Sequence, residues 1–291
     1  MMIGTHPICE SLGELSLLPM DIAMGNHCGC GSAYHECGLW SSVLEAFSRE
    51  KGFNVWENPY ALNLGYMSGI NIDRKNINTL YKLKWKPMLA LQFLEQRFSF
   101  PLPSAIVQAY NQGTRNTLEL YDQILSSTGK PITVDSTKRY QKAVALYKER
   151  PEHVRLIILI RDGRGVYYSN LKRGYSRRVS LSSWQNYYKR ALPSFRKQTS
   201  PEHVHLVRYE DLVTDPVTTL QGICKFLKID YVPELQNFRS VVHHNVNGND
   251  VKASSISILK LDNAWETQLS ESDDEYFLHS GGTLNSRLGY R

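Results

Sequence analysis

Apolar residues recur at helical spacing through the first half of the chain. Residues 41–50 begin with serines suited to an N-cap and then place apolar side chains at i, i+1 and i+4. Residues 89–98 and 106–125 are amphipathic in the same way, although a glycine interrupts the second stretch. The pattern therefore predicts that residues 41–128 are mostly helical.

In the second half, short apolar runs alternate with amphipathic stretches. Residues 131–136, 154–160 and 204–212 are predicted strands, and the second of these is typical of a strand buried on both faces of a parallel sheet. Helical spacing recurs between and after them, at 139–150, 165–174, 182–196 and 218–229. This alternation predicts a three-layer α/β domain with parallel strands and helices on both faces. We expect one domain over residues 1–291, with residues 41–128 as a helical insertion.

The composition is that of a globular protein, with 42% apolar and 21% charged residues. No apolar run approaches the length of a membrane span, and residues 1–20 lack the basic residues that begin a signal peptide. An odd number of cysteines, five, suits a reducing compartment. We therefore expect a cytoplasmic protein, at most peripheral to a membrane, while the oligomeric state is left open.

Positive charge is concentrated just after the predicted strand that ends at Ile160. The net charge is +6, and residues 161–178 carry six basic side chains against one acid. Ligands bind at the carboxyl ends of strands in open α/β sheets, and a guanidinium suits phosphate. One interpretation is an anion site at Arg161, and the other is a basic turn with an Asp162–Arg164 salt bridge. A nucleic-acid partner is not expected, because no module motif accompanies these charges.

The segment ILIRDGRGVYYSNLKRG, residues 158–174, resembles the 3′-phosphate-binding motif of PAPS-dependent sulfotransferases. In that motif R-D-x-R follows a strand, and a serine lies eight positions after the first arginine. Four other segments resemble further blocks of the family, in family order. They are residues 6–19, 132–146, 207–229 and the tail from 243 to 270 that closes with RLGY. The chain resembles the bacterial and tyrosylprotein-type members.

The resemblance implies a P-loop NTPase-like fold and the transfer of a sulfuryl group from PAPS to an acceptor hydroxyl or amine, with PAP as the product. Arg161 and Ser169 match the contacts to the 3′-phosphate, and Tyr209 matches a residue that lines the nucleotide pocket. Asn249 and Lys252 match, more loosely, a C-terminal Gly-Asn-x-x-Arg element in which lysine replaces arginine here.

Two residues match catalytic positions of the family. Glu14 matches the catalytic base of the tyrosylprotein group, and Lys138 loosely matches a lysine near the transferred group. The alternatives are an exposed loop carboxylate and a surface lysine at a helix start. By analogy with phosphoryl transfer, catalysis needs positioning and cationic stabilisation, so no metal is required. The acceptor stays open among carbohydrate, lipid, small metabolite and peptide tyrosine.

The family's 5′-phosphosulfate loop, roughly R-S-G-[ST]-[ST]-L, is not found, and residues 1–7 resemble the end of the helix that follows it. We expect the loop to be encoded upstream and the 291-residue chain to be inactive without it. The alternatives are a truncated remnant and a pseudoenzyme that binds PAP without transfer. A small-molecule kinase relative is disfavoured because G-x-x-x-x-G-K-[ST] is missing from the sequence.

A cysteine-rich stretch lies at residues 27–40. Cys28, Cys30 and Cys37, with His35 alongside, could hold tetrahedral zinc. The C-x-C-x₆-C spacing is uncommon among zinc sites, however, so a disulfide or free thiols remain open.

Overall fold

The computed structural model describes residues 2–64, 104–246 and 259–290 of the chain. These residues form two compact units. The first comprises Met1–Lys142 and Asn237–Ile256, and the second comprises Ala143–Gln236 and Ser257–Arg291. The single domain over residues 1–291 stays a prediction.

The first unit contains two parallel strands, β1 (Cys9–Gly13) and β2 (Ile132–Asp135), paired with Cys9 beside Ile132. Its helices are α1 (Leu18–Ala23), α2 (Trp40–Lys51), α3 (Ser104–Thr128) and the beginning of α4 (Tyr140–Glu149). Short 3-10 turns occur at Ile3–Thr5, Leu15–Leu17 and Pro59–Leu62.

The core of the first unit forms around α2 and α3, as their hydrophobic spacing predicts. Trp40 and Phe47, on α2, are completely buried and belong to one apolar cluster with Leu120 and Ile124 of α3. Burial of each large side chain stabilises the fold by about 1.5–3 kcal/mol. The helix predicted at 89–98 lies outside the described residues.

The second unit also contains two parallel strands, β3 (Leu156–Ile160) and β4 (Val204–Arg208), paired from Leu156–Val204 to Ile160–Arg208. Besides the rest of α4, its helices are α5 (Gly163–Lys172), α6 (Arg177–Gln198), α7 (Tyr209–Thr214), α8 (Pro216–Leu227), α9 (Trp265–Gln268) and α10 (Glu271–Arg287). Short 3-10 turns occur at Pro201–His203 and Pro233–Gln236.

An aromatic cluster joins three helices of the second unit. The ring of Phe277 on α10 lies 5.7 Å from that of Tyr167 on α5 and 5.6 Å from that of Trp184 on α6. A Cβ on Gly163 would lie 2.5 Å from the Trp184 ring, so this glycine lets the start of α5 approach the cluster. The packing fixes the direction in which α5 leaves β3.

Two details differ from the sequence expectation. The prediction that β3 is buried on both faces is wrong, because Ile157 is 38% and Leu159 50% exposed. A continuous apolar run does not show which faces are covered. The strand predicted over 204–212 ends at Arg208, because Glu210 and Asp211 suit the first turn of a helix.

The mixed α/β class with parallel strands is confirmed. The three-layer, P-loop NTPase-like arrangement with helices on both faces and a helical insertion stays a prediction. Within the described ranges, no helix is both long and apolar enough to cross a membrane.

Candidate functional site

Arg161 lies at the carboxyl end of β3 and is held by a carboxylate and an aromatic ring. Its Nη2 donates to the Asp262 backbone oxygen at 2.6 Å and to Asp262 Oδ2 at 2.9 Å. The guanidinium carbon lies 4.6 Å from the centre of the Tyr209 ring, a cation–π distance. The structure therefore brings together Arg161 and Tyr209, two of the residues predicted to bind the nucleotide.

Tyr209 begins α7 and also contacts the segment that carries Asp262. The Asp262 amide donates to the Tyr209 hydroxyl at 3.2 Å, and this hydroxyl donates to the Lys260 backbone oxygen at 3.4 Å. The hydrogen bond from Arg161 lowers the pKa of Asp262, so this carboxylate is ionised near neutral pH. Sequence reasoning missed Asp262, although the residue stands in a tail segment that resembles the family.

Gly165 and Ser169 lie on the same face of α5. A Cβ on Gly165 would lie 3.1 Å from Arg161 Nε and 3.2 Å from Nη2, so the guanidinium lies over the first turn of the helix. Ser169 follows Gly165 by four positions and therefore shares its face. Within the described part of the chain, which includes both residues, Arg161 and Ser169 do not hydrogen-bond to each other.

Asp162 caps the start of α5 and pairs with a different arginine. Its Oδ1 accepts from the Arg164 amide at 2.8 Å and from Arg164 Nε at 3.1 Å, and its Oδ2 accepts from Nη2 at 2.7 Å. These bonds raise the pKa of Arg164. The salt bridge of the alternative interpretation thus forms, while Arg161 is directed to Asp262.

A cavity of about 350 Å³ opens beside these groups in the second unit. Four carboxylates line it against two guanidinium groups, a balance that does not favour a polyanion. Its lining comprises Asp162, Arg164, Arg208, Glu210, Leu261, Asp262, Asn263, Trp265, Glu266, Gly289 and Tyr290. The groups suited to an anion therefore lie at Arg161 and the first turns of α5 rather than in the cavity.

In the first unit, Glu14 and Lys138 form an ion pair. Lys138 Nζ lies 2.8 Å from Glu14 Oε1, and the side chains of Glu14 and Lys138 are 21% and 67% exposed. Glu14 directly follows β1 and Lys138 closely follows β2, so the parallel strands deliver both to the same edge. The two residues predicted to be catalytic are thus in contact.

The backbone at Glu14 is fixed by segments on both sides. The Glu14 amide donates to the Val246 oxygen at 2.9 Å, and the Ser136 amide donates to the Gly13 oxygen at 2.7 Å. Gly13 has φ of +66°, and a Cβ there would lie 2.3 Å from the Val246 oxygen. A glycine is required here for both conformation and space.

Asn249 and Lys252, the looser matches to the nucleotide site, lie outside the described residues.

The cysteine-rich stretch brings its three thiols together with a histidine that the sequence did not indicate. Cys37 Sγ lies 3.6 Å from Cys28 Sγ, 3.7 Å from Cys30 Sγ and 3.1 Å from His244 Nδ1. His35 lies outside this group and pairs weakly with Glu36 at 3.7 Å. His244 follows Cys37 by 207 positions, so no local spacing rule could find it.

A model of the sulfotransferase family matches residues 82–233 of this chain. The match covers just over half of the sequence, and the chain belongs to the sulfotransferase family, as the motifs predict. The matched residues include Lys138, Arg161, Ser169 and Tyr209. Glu14 lies outside the match.

Two solved structures of sulfotransferase domains are similar to this chain. A sulfotransferase domain from the curacin biosynthetic pathway is 17% identical, with 98% of each chain covered and a TM-score of 0.45. A sulfotransferase domain from the Synechococcus PCC 7002 olefin synthase is 15% identical, with 97% of this chain and 94% of that chain covered and a TM-score of 0.48.

Proposed function

We propose that this sulfotransferase-family chain transfers a sulfuryl group from PAPS to an acceptor hydroxyl or amine and releases PAP. The observation that carries the proposal is the position of Arg161. Its guanidinium lies at the carboxyl end of a parallel strand, over the start of α5 and against the Tyr209 ring. Strand ends and helix N-termini are where such folds bind phosphate groups.

The contact with Asp262 supports the assignment of Arg161 to an oxyanion. The Asp262 carboxylate accepts a hydrogen bond from Arg161 Nη2 at 2.9 Å, the distance expected of a charge-assisted bond. A phosphate oxygen would use the same donor. In the proposal, the 3′-phosphate accepts a hydrogen bond from Arg161 Nη2 in place of Asp262. It also contacts the Ser169 hydroxyl, which lies one helical turn after Gly165.

The proposed contacts to PAPS also involve Tyr209, Asn249 and Lys252. The ring of Tyr209 holds the guanidinium of Arg161 at 4.6 Å and so limits the directions in which its donors point. Asn249 and Lys252 are included because they match the family's C-terminal element.

On the acceptor side, Glu14 accepts the proton of the attacking group and Lys138 stabilises charge on the transferred sulfuryl group. A general base must be reachable by the acceptor, and the Glu14 side chain is 21% exposed at a strand end. The bond from Lys138 Nζ at 2.8 Å orients one oxygen of this carboxylate. These charges come from side chains, so the proposed chemistry does not require a metal.

Calorimetric titration with PAP and ATP, followed by transfer of ³⁵S from labelled PAPS, tests the proposal. Acceptor pools should contain carbohydrates, lipids, small hydroxylated metabolites and tyrosine peptides. The 291-residue chain should be assayed beside the translation of its upstream reading frame. PAP binding with transfer by either form supports the proposal. PAP binding without transfer in both forms supports the PAP-binding pseudoenzyme, and a preference for ATP contradicts both.

A further inference from the structure

Four potential metal ligands converge in the first unit, and none of them is a residue of the proposed chemistry. The sulfur atoms of Cys28, Cys30 and Cys37 and a ring nitrogen of His244 all lie within 4.8 Å of one another. Cys28 and Cys37 are buried and Cys30 is partly buried. The family match covers residues 82–233, so none of the four belongs to it.

Four of the six distances among these atoms are close to those of a tetrahedral metal site. With zinc bonds of about 2.3 Å to sulfur and about 2.0–2.1 Å to nitrogen, tetrahedral geometry separates two sulfurs by about 3.8 Å and sulfur from nitrogen by about 3.5 Å. Two of the three sulfur pairs lie at 3.6 and 3.7 Å, two of the three sulfur–nitrogen distances are 3.1 and 3.8 Å, and the two other distances are at most 4.8 Å.

A disulfide explains this arrangement less well. A disulfide joins its sulfurs at about 2.05 Å, whereas Cys37 is almost equally distant from both other thiols and all five cysteines are free. One bond between any two of the three would also leave the third thiol and the imidazole unexplained.

Backbone groups around the cluster favour the thiolate form of its cysteines, whereas burial opposes it. Burial raises the pKa of the Cys37 thiol, and the backbone at Trp40 and Leu39 lowers it. The backbone at Cys30 lowers the pKa of Cys28 in the same way, and that at Ser32 lowers the pKa of Cys30. Such outer contacts orient the ligands and stabilise their negative charge.

We propose that Cys28, Cys30, Cys37 and His244 bind one structural Zn²⁺ ion. Three soft sulfur ligands with one imidazole favour zinc over magnesium or calcium. Four protein ligands close a tetrahedral site and leave no position for a substrate or a reactive water, so the ion is structural rather than catalytic.

The ion would connect the cysteine-rich loop to residues 243–246, which lie far away in the sequence. These segments already meet through the Gly29 amide, which donates to the Asn245 oxygen at 3.0 Å. A Cβ on Gly29 would lie 2.5 Å from the His243 oxygen, so the approach is close. Val246, at the end of this segment, is the hydrogen-bond partner of Glu14. Zinc would therefore fix the backbone beside the proposed base.

The direct test is the metal content of the untagged chain, purified with a non-thiol reductant and without chelators. Elemental analysis should find about one zinc per chain. Titration of the metal-free chain with Co²⁺ should give the visible absorption of tetrahedral, thiolate-bound cobalt. Zinc below about a tenth of an equivalent together with no such cobalt spectrum would overturn the proposal.

Variants distinguish the proposed ligand set from its alternatives. His244→Ala and Cys30→Ser should lower the zinc content or weaken zinc binding at least about 10-fold, the smallest effect expected from a disturbed site. His35→Ala and Cys224→Ser should retain zinc, because His35 is exposed and Cys224 lies in the second unit. Loss of zinc in His35→Ala with full retention in His244→Ala would refute the proposed set. The cobalt spectrum is recorded on the unaltered chain, so this test remains valid even where a variant fails to fold.

Discussion

Arg161 offers the sharpest test of donor binding at the scale of a single residue. Arg161→Ala should weaken PAP binding by about 10- to 150-fold, since a hydrogen bond to a charged group contributes about 1.5–3 kcal/mol. Calorimetry measures the affinity. Arg173→Ala is the matched control, because Arg173 is an exposed arginine just after the same helix. An unchanged affinity in Arg161→Ala would remove this residue from the site.

Glu14 should affect turnover rather than donor binding. If transfer of sulfuryl groups is detected in the labelled-PAPS assay, Glu14→Gln should lower kcat about 10²- to 10⁴-fold, the usual contribution of a general base. The affinity for PAP should change little. Glu36→Gln, at an exposed glutamate of the same unit, should leave turnover unaltered. A wild-type rate in Glu14→Gln would assign the base to another group.

Lys142 should make the stability depend on pH. It is buried and donates to the Leu64 oxygen at 2.7 Å, and burial lowers its pKa to about 8. The unfolded chain, with a lysine pKa of about 10.4, binds more protons between these values, so the stability rises with pH in that window.

Urea unfolding of the wild type and Lys142→Met at about pH 8 and about pH 10 tests this expectation. The wild type should gain stability relative to the variant at the higher pH. Parallel pH dependences of the two proteins would show that Lys142 does not titrate abnormally.

At the scale of the element, β1 depends on a close approach at its end. Gly13 and Gly25 both have φ of +66°, but only the first would place a Cβ against backbone, 2.3 Å from the Val246 oxygen. Alanine is strained at positive φ, so both alanine variants should have a free energy of unfolding lower by about 1–3 kcal/mol. Gly13→Ala should be destabilised further. Equal urea midpoints for the two variants would contradict the close packing of residue 246 on β1.

The elements were largely predictable from the sequence, and their partners were not. Periodicity indicated α2, α3 and β3, because the spacing of apolar residues records one buried face. It did not indicate that β4 stops at Arg208, or that alternate residues of β3 stay exposed. Those features depend on neighbours that a local pattern does not contain.

In the candidate site, too, some residues could be predicted from the sequence and others could not. Arg161, Tyr209 and Glu14 could be predicted as site residues because they lie inside recognisable motifs, and their roles stay predictions. Asp262 and His244 were missed, because each acts through a contact with a residue far away in the sequence. Chain topology, rather than spacing, places them beside Arg161 and Cys37.

At the scale of the whole molecule, the proposed zinc should stabilise one unit selectively. All four proposed ligands belong to the first unit. Removal of the metal with a chelator should therefore raise amide hydrogen exchange in residues 9–13, 40–51 and 243–246. Amides of β3 and β4 should be less affected, because their pairing lies within the second unit. Mass spectrometry of exchanged peptides provides the measurement, and uniform exchange across both units would contradict a local role.

If Arg161 binds the 3′-phosphate as proposed, its contact with Asp262 would also affect which anions can bind there. Asp262 would then act as a tethered competitor of the bound anion, because its carboxylate lies 2.9 Å from Arg161 Nη2 and has a high effective concentration there. A small free anion with one contact to offer competes poorly with it. A ligand that also engages Ser169 and neighbouring groups can displace the carboxylate, since its other contacts offset the lost ion pair. The pair would thus act as a filter that favours large, multiply bound anions over chloride or inorganic phosphate.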